Sequence, residues 1–180
     1  MKRHAGGAWR RRASVLVAIV AIAVGGAVVI SPQSASAVGC SGHTCNGRDP
    51  EANGCDTGPT QTRTRFSKTV DDMWTYQLRH SFACLSMWGR FIRDDCSYPS
   101  PVHHWLRVDT QIWSLNEWRP YATQVDDMWG ETSNCNGGTA WTPMVPGQEN
   151  TRSRLGWGTN VSSSPPSSWS YSGWYNGGRP

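Results

Sequence analysis

Six cysteines, Cys40, Cys45, Cys55, Cys84, Cys96 and Cys135, constrain this chain more than any other feature. Their intervals are irregular and include no CxxC pair, so the paired spacing of a structural zinc site is missing. An even number of thiols in an exported chain reads as a disulfide framework whose connectivity stays open among many pairings. The N-terminus supplies the export signal. Lys2, Arg3, Arg10, Arg11 and Arg12 precede an apolar run from Ala13 to Ile30, which Ser31-Pro32 breaks and Ala35-Ser36-Ala37 follows. These are the three parts of a secretory signal peptide, expected at residues 1–37 with cleavage after Ala37. The apolar run is long enough to anchor the chain if it is retained, and a membrane enters the reading only through that segment. Arg10-Arg11-Arg12 admits a twin-arginine route, but Ser14 interrupts the apolar residues needed after it, so the ordinary secretory path is expected.

Removing the leader changes the charge. The whole chain carries +4, with 17 basic and 13 acidic residues. Five of the basic residues lie in the leader, which leaves 12 against 13 and a net charge near −1. A nucleic-acid partner, bound through neutralised phosphates, is therefore not expected. Residues 38–158 are read as one secreted disulfide-containing domain, and residues 159–180 as a Ser/Pro/Gly-rich aromatic tail. At that size a core is modest, and covalent bridges of a few kcal/mol each matter.

Hydrophobic periodicity predicts strands. Residues 40–62 are rich in Gly, Asn, Asp, Pro and Thr and read as an irregular loop. From Trp74 the period is two, with Trp74, Tyr76, Leu78 and His80 on one face. Met87, Gly89 and Phe91 alternate with Trp88, Arg90 and Ile92 after a turn near Phe82–Cys84, and Val102, His104, Leu106 and Val108 alternate again. Residues 110–120 fit a helical turn or a strand equally well. Further short strands are expected at 121–129 and 139–145, separated by the turn Asn134-Cys135-Asn136-Gly137-Gly138. No long stretch has a helical period. The expected fold is mainly β: a small disulfide-stapled β-sandwich or barrel with an irregular N-terminal loop and a Ser/Gly/Pro-rich tail. Val70-Asp71-Asp72-Met73-Trp74 recurs as Val125-Asp126-Asp127-Met128-Trp129, an echo that biased composition explains better than duplication.

The cysteine loop also carries a family likeness. Cys40, Cys45 and Cys55, with Asp49-Pro50 and Gly54 between them, resemble the opening of the YjfA-like secreted proteins, the family labelled domain of unknown function 2690. Leu78-Arg79-His80-Ser81, then Cys84 and Trp88-Gly89-Arg90, resemble that family's second motif, with Gln77 and His80 standing where a Glu and a Tyr are usual. The resemblance covers residues 39–92 and implies a secreted protein of Gram-positive bacteria, with no activity to carry over. Cys40, Cys45, Cys55 and Cys84 match the family, whereas Cys96 and Cys135 are additions. The resemblance thereby implies that the four close among themselves, Cys40–Cys45 with Cys55–Cys84 being favoured, and that Cys96 pairs with Cys135.

Catalytic chemistry finds little support. Asp71-Asp72, Asp94-Asp95 and Asp126-Asp127 are adjacent pairs, and neighbours on a strand point to opposite faces, so no single pair converges on one bond. His103-His104 meets the same objection. His43 and His80 lie near cysteines, but an oxidised framework removes the thiols a metal would need. No H-E-x-x-H, G-x-S-x-G or phosphate-binding glycine loop occurs. No cofactor, metal or catalytic residue is assigned, and an enzyme is the less expected outcome.

Tryptophan is the informative residue: there are 11, all but Trp9 beyond the leader. Such rings are large rigid contact surfaces. Trp74, Trp105 and Trp129, with Arg107 and Asp127, are the candidate platform for a sugar polymer, weighed against the plainer role of core filling in a chain poor in Leu, Ile and Phe. The leading functional expectation is a non-catalytic extracellular or cell-wall-associated module that binds cell-envelope glycan or another surface polymer. The alternative is a secreted protein-interaction factor, an inhibitor or competition protein presenting loop 40–62. A hydrolase comes third.

Overall fold

A computed structural model describes residues 39–57, 61–93, 102–128 and 138–178. The expected signal segment at residues 1–37, Asp94-Asp95, Cys96, Trp129, Cys135 and most of the turn at 134–138 lie outside the described residues. Among the described residues no helix is long and apolar enough to cross a membrane.

Two antiparallel sheets pack face to face. The first contains β1 (Thr62–Val70), β2 (Trp74–Ser81), β3 (Ser86–Arg93), β6 (Thr139–Trp141) and β7 (Val145–Pro146), in the order β1-β2-β3 with β6 and β7 both against β3. The second contains β4 (His103–Ser114), β5 (Glu117–Asp127), β8 (Thr151–Asn160), β9 (Ser170–Tyr171) and β10 (Tyr175–Asn176), in the order β10-β8-β4-β5 with β9 also on β8. The sheets do not close into a barrel, so the sandwich alternative is the fold.

Alternation decides which side chains face inward. Trp74, Tyr76 and Leu78 of β2 and Met87 and Phe91 of β3 meet Leu106 and Val108 of β4 and Leu155 of β8 in one buried cluster. Burying each such side chain stabilises the fold by about 1.5–3 kcal/mol. The sheets approach closely at Gly89, where an added Cβ would sit 2.9 Å from Leu155 and 3.2 Å from Leu106.

The other face of β3 is covered as well. Trp88 is fully buried among Cys40, Cys45, Cys55, Cys84 and Met144, a second small core roofed by residues 39–57. This is why β3 reads as apolar on both faces rather than on one. The bridges are Cys40–Cys45 and Cys55–Cys84, the pairing that the family likeness implied. The cap is wired to the sheet as well as stapled: Gly42 N donates to Cys84 O at 2.7 Å and Gly47 N to Met144 O at 2.9 Å. One short 3-10 turn, Gly42–Cys45, is the only helix among the described residues.

Two elements depart from the sequence expectation. β1 was not expected: its residues are mostly exposed or half-buried, because it is an edge strand, and a bulge between Thr64 and Phe66 breaks its alternation. Residues 110–120, ambiguous between helix and strand, form the tip of the β4–β5 hairpin. Leu115 and Asn116 take φ of 53° and 63° there, the left-handed geometry of a tight hairpin turn. The echoed pentapeptides do different jobs. Asp71 and Asp72 make the β1–β2 turn, both with φ of 53°, whereas Asp126 and Asp127 end β5. They are not copies of one hairpin.

The tail folds back. β8 runs through the expected boundary at residues 158–159, and Tyr171 and Tyr175 then pair with Gly156 and Ser153 of the same strand. Two glycines make room for this. An added Cβ at Gly156 would lie 2.8 Å from the Tyr171 ring, and one at Gly158 2.7 Å from the Pro166 ring. Pro166 is buried even though its neighbours Ser164, Pro165 and Ser167 are exposed. Gly158→Val is therefore expected to lift residues 162–168 from the sheet, at a cost of about 1–3 kcal/mol. Limited proteolysis should then cut between Asn160 and Trp169, and a tail as resistant as in the parent would refute this docking.

Candidate functional site

The outer face of the second sheet carries the most organised polar chemistry of the described residues. Leu106 and Val108 point inward, so Arg107, Asp109, Gln111 and Trp113 of β4 point outward, beside Arg152 and Arg154 of β8. The returning tail adds Trp169, Tyr171 and Trp174, and β5 adds Trp118.

These residues interleave rings and cations. The Arg152 guanidinium lies 4.3 Å from the Trp118 ring and 4.9 Å from Trp174, and Arg154 lies 4.7 Å from Trp174 and 3.9 Å from Tyr171. Residues two apart on one face of a strand are about 7 Å from each other, a gap that one aromatic ring fills. The order is therefore Trp118, Arg152, Trp174, Arg154, Tyr171. Each guanidinium rests on ring faces, an attraction of about 0.5–2 kcal/mol per contact. Trp113 extends the row, its ring edge-on to Trp118 at 5.2 Å. At the other end Arg107 lies 5.9 Å from Trp169.

Hydrogen bonds hold the cations in place. Asp109, buried, accepts from Arg107 Nε at 2.7 Å, from Arg154 Nε and Nη2 at 3.2 and 3.1 Å, and from Thr123 Oγ1 at 3.0 Å. Arg152 Nε donates to Gln111 Oε1 at 2.9 Å. With these donors on both its oxygens, Asp109 clamps the arginines.

Trp169 also walls a cavity of about 360 Å³, together with Val70, Tyr76, Trp157, Thr159 and Ser168. Trp157 is stacked on Phe66 at 5.5 Å and Tyr76 at 5.9 Å, which fixes that wall. Behind it Tyr76 Oη and His104 Nδ1 share a hydrogen bond of 2.9 Å. Burial pushes the Tyr76 phenol up and the His104 imidazole down to about 4, with the Arg93 charge lowering His104 further. Both are neutral packing groups at ordinary pH.

The expected site residues separate. Trp74 belongs to the core, 7 % exposed, with Phe91 at 5.8 Å and His104 at 4.4 Å. Trp105 is 8 % exposed, and its buried Nε1 has no hydrogen-bond partner among the described residues. Neither ring offers a flat face to solvent: Trp74 fills the core and Trp105 is packed. Arg107 does belong to the outer face. Asp127 lies opposite Trp105 and pairs with His103 at 2.6 Å, apart from the ring-and-cation row. Trp129 lies outside the described residues. Burial raises the neighbouring Asp126 carboxyl, whose Oδ1 accepts from the Asp127 backbone N at 2.9 Å, so this acidic pair is structural.

The exposed rings are others: Trp113 at 46 %, Tyr121 at 42 % and Tyr171 at 37 %. Tyr121 is the extra residue of a bulge in β5, and its hydroxyl hydrogen-bonds His43 of the cap. A signal for the row existed in the sequence. Arg152 and Arg154 alternate with Ser153 and Leu155 in strand fashion, and Trp169, Tyr171 and Trp174 follow closely after the Ser-Pro stretch.

Fold and site define a class: a two-sheet antiparallel β-sandwich, cystine-capped on one face and bearing an aromatic and arginine row on the other. Comparison with protein-family models, curated proteins and solved structures finds no match for this chain.

Proposed function

We propose that this chain is a secreted, non-catalytic module that binds a polysaccharide of the cell envelope or another surface polymer, and that it belongs with the YjfA-like proteins it resembles. The carrying observation is the open row of rings and guanidiniums on the second sheet, which includes the exposed rings of Trp113 and Tyr171. From Arg107 to Trp113 the row follows β4 for about 20 Å, long enough for several sugar rings, so an extended chain suits it better than a small molecule. The exposed parts of Trp113 and Tyr171 give sugar C–H groups ring surface to pack on, and the arginines between them donate to oxygens. Two cystines in the cap agree with an oxidising, extracellular setting.

Sedimentation with insoluble peptidoglycan, chitin and cellulose tests the reading. The chain is expected to be retained on at least one of them. Trp113→Ala with Tyr171→Ala, both at exposed positions, is expected to weaken retention about tenfold, equivalent to about 1.4 kcal/mol, with the native β circular dichroism retained. No retention of the parent on any polymer, or retention of the double variant at parental strength, overturns it.

A further inference from the structure

The charge of the row says more about the ligand than its rings do. Of the three guanidiniums on this face, Arg107 and Arg154 share one carboxylate, Asp109. Among the described residues Arg152 makes no ion pair with a carboxylate, and its side-chain hydrogen bond there is to neutral Gln111. Both Nη atoms of Arg107 and Arg152 and Nη1 of Arg154 have no hydrogen-bond partner among the described residues. This local excess of positive charge stands on a domain whose net charge after the leader is near −1, so it is a property of the face and not of the composition.

The stacking decides which chemistry is offered outward. Arg152 and Arg154 cover the Trp174 ring, and each also covers a face of Trp118 or Tyr171. In the middle of the row ring faces are thus occupied, and guanidinium N–H groups remain for a ligand. A guanidinium held planar by rings and fixed at Nε is preorganised to give two parallel N–H bonds to a carboxylate or phosphate, which lowers the entropy lost on binding. A neutral polymer would leave this charge uncompensated, and a nucleic acid would need open ring faces for its bases.

We propose that the outer face of β4 and β8 takes an acidic glycan, whose carboxylate or phosphate oxygens accept from Arg107, Arg152 and Arg154. This rests on the polymer-binding reading and names its substrate class. Affinity electrophoresis or interferometry of the whole secreted chain tests it, with polygalacturonate and poly(glycerol phosphate) as the two anionic arms. Dextran is the neutral arm, and single-stranded oligothymidine is the nucleic-acid arm. At least one acidic polymer is expected to bind about tenfold tighter than dextran or oligothymidine, and to weaken markedly as salt is raised. Arg152→Gln should lower that affinity about tenfold, and Arg152→Lys should recover only part of it, with the native β circular dichroism retained in both. Which acidic arm wins identifies the anion as carboxylate or phosphate. Equal or stronger, salt-independent binding of dextran, or of chitin and cellulose in the sedimentation assay, overturns the acidic ligand and leaves the polymer reading intact. Preference for oligothymidine overturns the glycan, an unchanged Arg152→Gln variant overturns the site, and no binding to any polymer overturns both readings.

Discussion

Replacing Cys55 and Cys84 together with alanine lowers the free energy of unfolding by about 3–4 kcal/mol. The bond closes a segment with a sequence separation of 29, and the chain entropy released on opening a loop of that size accounts for most of the loss. Cys40–Cys45 spans only five residues, so its double alanine variant is expected to cost less, about 2 kcal/mol. Both changes also thin the packing round Trp88, but only the longer bridge ties the cap at Cys55 to the β2–β3 turn at Cys84. Double variants are needed because Cys40 Sγ lies 3.9 Å from Cys55 Sγ, and a single free thiol there would exchange with the neighbouring bridge. Urea unfolding under oxidising conditions measures the difference. A loss below about 1 kcal/mol for the Cys55/Cys84 pair, or the reverse order of the two variants, would show that the cap is held by packing instead. Against a typical net stability of about 5–15 kcal/mol, the expected loss is large.

The second large effect is on acid stability. His80 is fully buried, its Nε2 3.1 Å from the Gly147 carbonyl oxygen and its Nδ1 without a hydrogen-bond partner among the described residues. Burial lowers its pKa from 6.5 to about 4, the Gly147 bond opposing and Arg65 assisting. His104 is lowered to about 4 as well, by burial first and then by Arg93, with Asp127 opposing. In the unfolded chain both imidazoles take up a proton below about 6.5, whereas in the folded chain they stay neutral until about 4. Their contribution is therefore complete above about pH 6.5 and is lost as pH falls toward 4. The loss from each approaches about 3 kcal/mol at the lower limit. Denaturant titrations at neutral pH and at two acidic values should show this fall, and imidazole resonances of the native state should place both titrations near 4. A flat unfolding free energy between pH 7 and 5 would contradict the buried neutral state.

Much of this fold is legible from residue order. The alternation of Trp74, Tyr76, Leu78 and His80 specifies both a strand and the face it buries, because a period of two admits no other regular element. The same holds for the run ending at Val108. β1 was not legible, since an edge strand needs no apolar face and the bulge before Phe66 shifts the alternation midway. Residues 110–120 were ambiguous because three apolar residues at intervals of three suit a helix as well as a hairpin tip, and only pairing of Trp113 with Trp118 across β4 and β5 resolves them.

The candidate site was legible in kind and not in place. Abundant tryptophan in a chain short of aliphatic residues pointed to both core filling and an exposed aromatic surface, and both occur. Trp74 and Trp105 fell on the buried side, whereas Trp113, Trp118 and Trp174 face outward with Tyr171. Ring identity alone cannot sort them, because burial depends on what the opposite sheet and the returning tail place over each ring.

Residue order by itself determined the β character, the inward faces of β2 and of the first half of β4, and the presence of a cystine framework, since these follow from local periodicity and thiol chemistry. Only the tertiary structure decided that the cysteine loop roofs Trp88 and that the Ser-Pro tail returns over Gly156 and Gly158. It alone threads Arg152 and Arg154 between rings from β5 and the tail. Those contacts join residues far apart in the chain, and their geometry is set by which strands become neighbours, a choice no local pattern encodes.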